Sequence, residues 1–225
     1  MKIKILSSGS RGNCYILTDC NGNQLILDCG VKYDKVSTEL NWGDNCICLI
    51  SHKHADHYNE QTVKRLSMFG IAIYADSTIA NESIINYGNW TILPIALPHD
   101  KDCDSFSFII YNTAEKKSIY YATDCTALPK ISDRVFDMFL IENNYDQETV
   151  FQKKLTNGKY NLGYTRHLSM EYVVGWLKER KSIVRNLVIT HLSNSGNISI
   201  PSIRDSYKGL CETFYIAKEN LSIEF

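Results

Sequence analysis

Three of the six histidines in this sequence lie together in the segment SHKHADH, which reads His-x-His-x-Asp-His over positions 52–57. In an extended loop, residues two positions apart point the same way, so His52 and His54 can bind one metal ion. Asp56 and His57 come next and turn toward a second ion. Neutral imidazole and carboxylate are ligands of zinc and similar divalent ions. The spacing therefore predicts a metal site; the alternative is a solvated polar loop that binds no metal.

Several apolar runs elsewhere in the chain end in a polar residue that can take part in chemistry. ICLIS precedes His52, IALP precedes His99, IYYAT precedes Asp124, FLI precedes Glu142, and LVIT precedes His191. In α/β proteins, side chains at the carboxyl ends of several strands converge and form sites. We therefore expect these residues to meet at one rim of the β-structure.

The order of apolar runs predicts strands in most of the first half, with helices between strands in both halves. The predicted helices cover residues 32–40, 60–68, 78–87, 146–155, 170–180 and 201–210. Asn59 is a predicted N-cap for the second of these helices, which Gly70 is expected to end. This arrangement favours sheets packed face to face with helices outside, in one domain spanning residues 1–225.

Charge and cysteine content narrow the possible partners and location. The formal net charge is −1, so any contact with nucleic acid must come from a local patch, and no attraction to a membrane surface is expected. No run approaches 18 apolar residues, so no transmembrane helix is predicted. The eight cysteines contain no CxxC pair, and no export signal precedes them. Reduced thiols and a cytoplasmic location are therefore expected, whereas the oligomeric state stays open.

The segment at 52–57 resembles the signature of the metallo-β-lactamase superfamily, and the other motifs of that family occur in the family's order. They are Asp28 in LILDCG, His99 in LPHD, Asp124 in YATDC and His191 in VITHLS. The resemblance extends over nearly the whole chain. It implies an α+β fold, the αββα sandwich of two packed mixed β-sheets flanked by helices, with a mono- or dinuclear metal site.

The same resemblance implies a role for each matching residue. One metal ion would take His52, His54 and His99, and the other would take Asp56, His57 and His191. Asp124 would bridge them together with a water or hydroxide, and Asp28 would hold the ligand loop by hydrogen bonds. The expected cofactors are two divalent metal ions, zinc in the first place and manganese or iron as alternatives. Cys29 and Cys125 each follow a key aspartate but are expected to point away from the site.

Further motifs distinguish between branches of the superfamily. His57 and Asp124 differ from the true β-lactamases, which use a cysteine ligand, so antibiotic hydrolysis is not expected. Only 66 residues separate Asp124 from His191, which leaves no room for the clamping insert of the β-CASP nucleases. The 34 residues after His191 are too few for the helical substrate domain of glyoxalase-type thioesterases. The segments SSGSRGN, LIENNYD and RHLSMEYV resemble the YycJ/WalJ-like branch, small members linked to DNA exonuclease activity.

A strand-end glutamate and an additional histidine, Glu142 and His167, resemble the proton-handling pair of ribonuclease Z. With Asp56 they are the predicted catalytic residues. His167 stands just before a helix for which Ser169 is the predicted cap, so His167 is expected near the rim. The alternatives are a surface carboxylate for Glu142 and a helix-entry residue without chemical role for His167.

Two segments are candidate substrate contacts. SSGSRGN at 7–13 contains Ser10 and Asn13, and it is either a plain tight turn or a nest of backbone amides that receives a phosphate. Residues 146–166 are locally basic, and Lys153 and Lys154 are predicted to contact a phosphate backbone there. Aromatic residues interleaved in that segment could stack on unpaired bases. The alternative is a solvated helix face.

These features together predict a metal-dependent hydrolase, acting as a phosphodiesterase or nuclease of the DNA exonuclease type, with nucleic acid as its substrate. Within the same fold, the alternative is hydrolysis of a small ester, lactone, thioester or cyclic nucleotide. A non-hydrolytic metal-binding regulatory protein is the alternative from another class. The sequence does not decide between DNA and RNA, or between exo- and endonuclease action.

Overall fold

The computed structural model of this chain describes residues 1–42, 45–157, 166–193, 198 and 200–225. Within these residues the chain forms thirteen strands: β1 Lys2–Ser7, β2 Cys14–Thr18, β3 Gln24–Leu27, β4 Cys46–Leu49, β5 Ala72–Tyr74, β6 Ile85–Tyr87, β7 Trp90–Asp100, β8 Cys103–Asn112, β9 Lys117–Ala122, β10 Met138–Glu142, β11 Val184–Thr190, β12 Cys211–Ile216 and β13 Ser222–Glu224. The α-helices are α1 Tyr33–Ser37, α2 Glu60–Met68, α3 Gln147–Asn157, α4 Met170–Lys178 and α5 Ile200–Ser206.

The strands form two mixed sheets. The first has the order β13-β1-β2-β3-β4-β5, and the second has the order β12-β11-β10-β9-β8-β7-β6. In the first sheet β3, β4 and β5 are parallel, and in the second β9, β10, β11 and β12 are parallel. Because parallel strands end at the same edge, each sheet presents a row of carboxyl ends along one rim.

The main core lies between the two sheets. It joins Ile5 and Leu27 of the first sheet with Phe108, Tyr121 and Leu140 of the second. Strand residues alternate between faces, so the opposite face of each sheet is left for the helices.

Two further cores lie under the helices. Leu66 of α2 packs on the outer face of the first sheet, and Val173 of α4 and Ile203 of α5 pack on the outer face of the second. The expected sandwich of two packed mixed sheets flanked by helices is confirmed.

The second predicted helix forms with its predicted boundaries. The Asn59 side chain accepts a hydrogen bond from the backbone N–H of Thr62, which satisfies one of the free donors at the helix start. Gly70, at φ +84°, follows the end of the helix in a conformation that suits glycine.

The predicted helix over 78–87 is wrong. Residues 76–78 form a short 3₁₀ turn, and Ile85–Tyr87 form strand β6, which pairs with β7 in a hairpin. The hairpin forms instead of the helix because Gly88 adopts φ +53° at its turn, and because Ile85 and Tyr87 then pack against the core between the sheets. The final strand β13 was not predicted, because its three residues contain a single buried apolar side chain, Ile223.

In the parts of the chain that the structure describes, no helix is long and apolar enough to cross a membrane.

Candidate metal centre

The rim predicted from the strand ends is present in the structure. His52 lies in the loop after β4, His99 lies near the end of β7, and Asp124 follows β9. Glu142 ends β10, and His191 comes directly after β11. The structure brings all of these side chains together with His54, Asp56 and His57, although they come from both sheets.

Three residues of this rim have left-handed backbone conformations. Asp28, Asp124 and His191 have φ values of 57°, 44° and 50°. Residues other than glycine adopt this backbone region uncommonly, and Asp, Asn and His are the residue types that tolerate it best. Each of the three stands one or two residues after the end of a strand, where such a turn redirects the chain. Backbone strain of this kind concentrates at functional sites, where the surrounding structure holds it in place.

The first set of donors consists of His52, His54, His99 and Asp124, whose ligand atoms all lie within 4.8 Å of one another. His99 Nε2 is 3.2 Å from His54 Nδ1, and His52 Nε2 is 3.6 Å from the Asp124 carboxylate. Four ligand atoms at ordinary zinc bond lengths would be about 3.3 Å apart around a tetrahedral ion. The spacing of these atoms therefore fits a bound metal ion.

His52 gives an independent test of that fit. Its side chain is fully buried, and its Nε2 atom has no hydrogen-bond partner in the described part of the chain. Burial, and then the nearby His57, lower the pKa of His52 to about 2, so the ring is neutral and carries a free lone pair. A buried polar atom without a partner is costly, and a metal ion would satisfy it.

The second set of donors consists of Asp56, His57, Asp124 and His191, again within 4.8 Å. His191 Nε2 is 3.1 Å from Asp56 Oδ2 and 3.5 Å from Asp124 Oδ1. His57 Nε2 is 3.5 Å from Asp124 Oδ2. Asp124 therefore belongs to both donor sets, the arrangement expected of a bridging ligand.

In this second set, protons on the imidazole rings supply the positive charge that a metal ion would supply when bound. Burial acts to lower the pKa of His191, but Asp124 and hydrogen bonds to Asp56 and Glu142 raise it to about 10. Asp124 and Asp28 likewise raise the pKa of His57 in spite of its burial. Burial would raise the pKa of Asp56, yet hydrogen bonds to His191 and His57 hold it well below its usual range. A cation entering this set must displace the imidazole protons, so its binding depends on pH.

Asp28 lies behind the ligand loop 52–57. It accepts hydrogen bonds from the Ser51 backbone N–H at 2.7 Å and from His57 Nδ1 at 2.6 Å. With Nδ1 held in this way, Nε2 of His57 is the ring nitrogen that faces Asp124. Tyr121 also donates its hydroxyl proton to Asp28. Sequence reasoning missed Ser51 and Tyr121, because strand alternation can place Tyr121 inward but cannot name its partner.

Glu142 and His167 form a pair at the side of the second donor set. His167 Nδ1 is 2.5 Å from Glu142 Oε1, and the His167 ring stacks on that of His191 with centroids 5.3 Å apart. Burial lowers the pKa of His167, but the charge of Glu142 and its hydrogen bond outweigh this and raise it. Asp124, Glu142, His167 and His191 also lie close enough together to form a third group of donors.

Comparison with known proteins adds a decisive observation about the fold. No protein-family model and no curated protein sequence matches this chain. Solved structures do match: YhfI of Bacillus subtilis, a metallo-β-lactamase fold protein, superposes with a TM-score of 0.76 at 17% identity, covering 100% of this chain and 99% of that one. This chain has the metallo-β-lactamase fold.

Two further structures share the metallo-β-lactamase fold with this chain. The short form of human tRNase Z has a TM-score of 0.65 at 14% identity, with 100% of this chain and 99% of that chain covered. Zn²⁺-bound PqqB of Methylobacterium extorquens has a TM-score of 0.69 at 12% identity, with both chains fully covered. At these identities the likeness concerns the fold, while the residues of the site come from the geometry described above.

On this metallo-β-lactamase fold, the two predicted substrate residues of the segment 7–13 differ in their exposure to solvent. Ser10 is exposed, whereas Asn13 is fully buried and accepts a hydrogen bond from the Gly9 backbone N–H. Asn13 Nδ2 is 3.0 Å from His57 Nε2, so this side chain faces the donor set. The Asn13 side chain therefore contacts His57 of the second donor set and is not exposed to solvent.

The predicted basic surface is described only in part. Lys153 and Lys154 lie on α3, and Lys154 is exposed. Arg166, counted in the same basic run, forms an ion pair with Asp100 at 2.9 Å. Lys159 and the aromatic residues Tyr160 and Tyr164 of the 146–166 segment fall outside the described residues.

Cys29 and Cys125 do not face the centre. Both are buried, Cys29 in the core under α1 and α2, and Cys125 in the core under α4 and α5. Neither belongs to any donor set found among the described residues.

Proposed function

We propose that this protein is a metal-dependent phosphodiester hydrolase that acts on nucleic acid as an exonuclease, in the manner of the YycJ/WalJ-like branch. The observation that carries the proposal is the position of Asp124. Its carboxylate is shared by two donor sets and lies 3.8 Å from His167, which is paired with the buried Glu142. A two-metal site with a proton-transfer pair beside it suits the displacement of an alcohol from phosphorus.

Two divalent ions fit the donors, and zinc suits the imidazole-rich first set best, with manganese or iron as alternatives. His52, His54 and His99 would hold one ion, Asp56, His57 and His191 would hold the other, and Asp124 would touch both. When bound, such ions polarise a phosphoryl oxygen and lower the pKa of a water molecule by several units. The solved structure of PqqB with Zn²⁺ shows that this fold can hold zinc.

The protein's own side chains supply the remaining chemistry. Glu142 fixes Nδ1 of His167, and Nε2 has no hydrogen-bond partner in the described part of the chain, so its proton is available to the leaving oxygen. Asp56 has a side chain 22% exposed, whereas that of Asp124 is 4% exposed. Asp56 is thus the carboxylate that an incoming water molecule reaches from solvent, and we assign it the orientation of that water.

Nucleic acid is favoured as the substrate by two independent likenesses. The segments SSGSRGN, LIENNYD and RHLSMEYV resemble a branch linked to DNA exonuclease activity, and human tRNase Z shares the fold of the whole chain. The Glu142–His167 pair supports the same choice, because a sugar hydroxyl is a poor leaving group that needs a proton, whereas a thiolate does not.

The test is an activity screen with metal-replete protein over bis(p-nitrophenyl) phosphate, end-labelled DNA and RNA, and a panel of small esters and lactones. Asp124→Ala should lose more than about 100-fold in phosphodiesterase activity, and its metal content should fall, because two neighbouring cations would then lack their shared anion. Asp205→Ala is the matched control, since Asp205 is an exposed carboxylate on α5.

Each outcome of the screen has a definite meaning. Full metal content and full activity in Asp124→Ala would contradict the assignment of the centre. Turnover of esters or lactones without turnover of phosphodiesters would make the protein a small-ester hydrolase. Stable metal binding without turnover of any substrate would make it a metal-binding regulatory protein.

A further inference from the structure

A groove of about 900 Å³ opens beside the metal centre, between segments that are distant in sequence. Its walls are the loop that follows β1, the loop that leads into α1, and the loop that follows β12. We call it the basic groove and define it by its charged residues, which are Arg11, Lys32, Asp34, Lys35, Lys218 and Glu219.

The topology places the basic groove on the same rim as the metal centre. Strands β1 and β3 run in the same direction, since each is antiparallel to β2, and β12 is parallel to β11. The loops after β1 and β12 therefore lie at the edge where Asp28 and His191 end their strands. Direct contact confirms this, because Ser8, which lines the groove, accepts a hydrogen bond from the His191 backbone N–H at 2.9 Å.

The wall between groove and centre is packed backbone against backbone. A Cβ atom on Gly30, which lines the groove, would lie 1.8 Å from the backbone oxygen of Asp56. The Asn13 backbone N–H also donates to that same oxygen, at 2.7 Å. The groove loops and the ligand loop are thus held together closely, so a molecule lying in the groove passes directly beside the donor sets.

The charges of the basic groove suit an anion. Four cations face two carboxylates, a net charge of +2 in a protein whose total is −1. Lys35 is already paired with Glu219 at 2.6 Å. Arg11, Lys32 and Lys218 are exposed and make no ion pair with any residue that the structure describes. These three cations face one further carboxylate, that of Asp34, so the groove keeps a positive surplus. Several cations without an ion pair along one groove are the arrangement that holds successive phosphates of a single strand.

We propose that the basic groove binds the phosphates of the nucleic acid chain next to the one that is cleaved. The proposal rests on the proposed function, and it names Arg11, Lys32 and Lys218 as the residues that hold the strand. The strand-binding surface that it names does not include Lys153 or Lys154. A small phosphodiester, which reaches only the metal centre, would not touch these three side chains.

The test compares two triple variants with equal loss of charge. The groove variant is Arg11→Ala/Lys32→Ala/Lys218→Ala. The matched control is Lys2→Ala/Lys181→Ala/Lys208→Ala, whose exposed lysines lie at or just before the amino ends of β1, β11 and β12, on the opposite edge. Binding of labelled single-stranded DNA and RNA of the same sequence is measured over a salt series with metal-replete protein, in a His167→Ala background that slows cleavage. Turnover of bis(p-nitrophenyl) phosphate is measured without that background.

We expect the groove variant to bind single strands about tenfold or more weakly at low salt, with the slope of log affinity against log salt reduced by about two units, because each phosphate contact in a single strand contributes roughly 0.7. The control variant should bind as the wild-type protein does. Turnover of bis(p-nitrophenyl) phosphate should be unchanged in both. The DNA and RNA arms then show which strand the groove prefers.

Equal binding by the groove and control variants would overturn the proposal, even if the protein cleaves nucleic acid. Failure of the wild-type protein to bind either strand, with bis(p-nitrophenyl) phosphate still hydrolysed, would overturn it too and leave a small-phosphodiester hydrolase. If the protein hydrolyses no substrate but the groove variant binds single strands more weakly than the control variant, the basic groove would be supported as a binding surface. The proposed function would then be contradicted.

Discussion

At the scale of single residues, two histidines near Glu142 have different surroundings. The His191 side chain is 2% exposed, and its Nε2 faces both Asp56 and Asp124. The His167 side chain is 20% exposed, and its Nδ1 is held by Glu142. His191 therefore has the surroundings of a ligand, whereas His167 has those of a residue that exchanges a proton with a bound molecule.

This difference predicts the behaviour of two variants. His167→Ala should keep its metal and lose about 10²–10⁴-fold in turnover of a nucleic acid substrate, the usual contribution of a general acid. The loss should shrink with bis(p-nitrophenyl) phosphate, because p-nitrophenolate leaves without a proton. His191→Ala should lose metal. Elemental analysis and parallel assays on the two substrates provide the check.

His167 also belongs to a third group of possible donors, which gives that prediction a clear contrary result. If His167→Ala loses metal while its activity falls equally on both substrates, His167 is a ligand and the proton donor must be sought elsewhere.

At the scale of the elements, one carboxylate ties three parallel strands together at the edge away from the centre. Asp137, just before β10, accepts hydrogen bonds from the Ser118 backbone N–H of β9 at 2.9 Å and from Arg185 of β11 at 2.8 Å. Lys117 lies 3.3 Å away. Burial would raise the pKa of Asp137, but the Ser118 hydrogen bond and the two cations lower it. These contacts hold β9, β10 and β11 at their amino ends, and the same strands position Asp124, Glu142 and His191 at their carboxyl ends.

Asp137→Asn should lower the free energy of unfolding at neutral pH by about 1–3 kcal/mol, as expected for hydrogen bonds to a charged group. Because the pKa is lowered by folding, this contribution is complete above the unfolded value near 4 and is lost as pH falls through the folded value. The difference between wild type and variant should therefore shrink in acid. Urea denaturation at neutral pH and at progressively lower pH measures it.

A difference that grows toward acid would mean that Asp137 acts by another route. Asp205→Asn, on the exposed surface of α5, should differ little from wild type at any pH.

At the scale of the whole molecule, the donor sets connect the two sheets. The ligand loop 52–57 belongs to the first sheet, while His99, Asp124 and His191 belong to the second. A bound ion would thus link the sheets at one rim, and it would also balance the carboxylates of Asp56 and Asp124. Anything that binds the folded state and not the unfolded one stabilises the folded state by mass action.

Removal of metal with a chelator should lower the melting temperature by about 10 °C, since saturation near a thousand times Kd is worth roughly 4 kcal/mol and each kcal/mol shifts a chain of this size by a few degrees. Adding zinc or manganese back should restore the melting temperature, with release of protons measurable in weak buffer. A melting temperature indifferent to both treatments would contradict a metal link between the sheets.

Local sequence patterns were sufficient to predict a large part of the fold and of the candidate metal centre. The segment 52–57 carries four neighbouring donors, so its grouping follows from the spacing of adjacent residues alone. The cap at Asn59 needs contacts within one helical turn. His99, Asp124 and His191 could be expected at one rim because apolar runs end just before them. The error over 78–87 arose because the pairing of β6 with β7 outweighed local helical tendency.

Taken by itself, the amino-acid sequence determined the ligand loop and the strand ends that carry His99, Asp124, Glu142 and His191, because those depend on short-range periodicity and on residues close along the chain. It also favoured sheets packed face to face, and the family resemblance implied the sandwich of two. Only the tertiary structure decided that Tyr121 donates to Asp28, that Arg166 pairs with Asp100, and that Arg11, Lys32 and Lys218 share one groove. Each of these depends on which loops meet when two sheets pack. That meeting is set by the burial of many side chains at once, and no spacing along the chain encodes it.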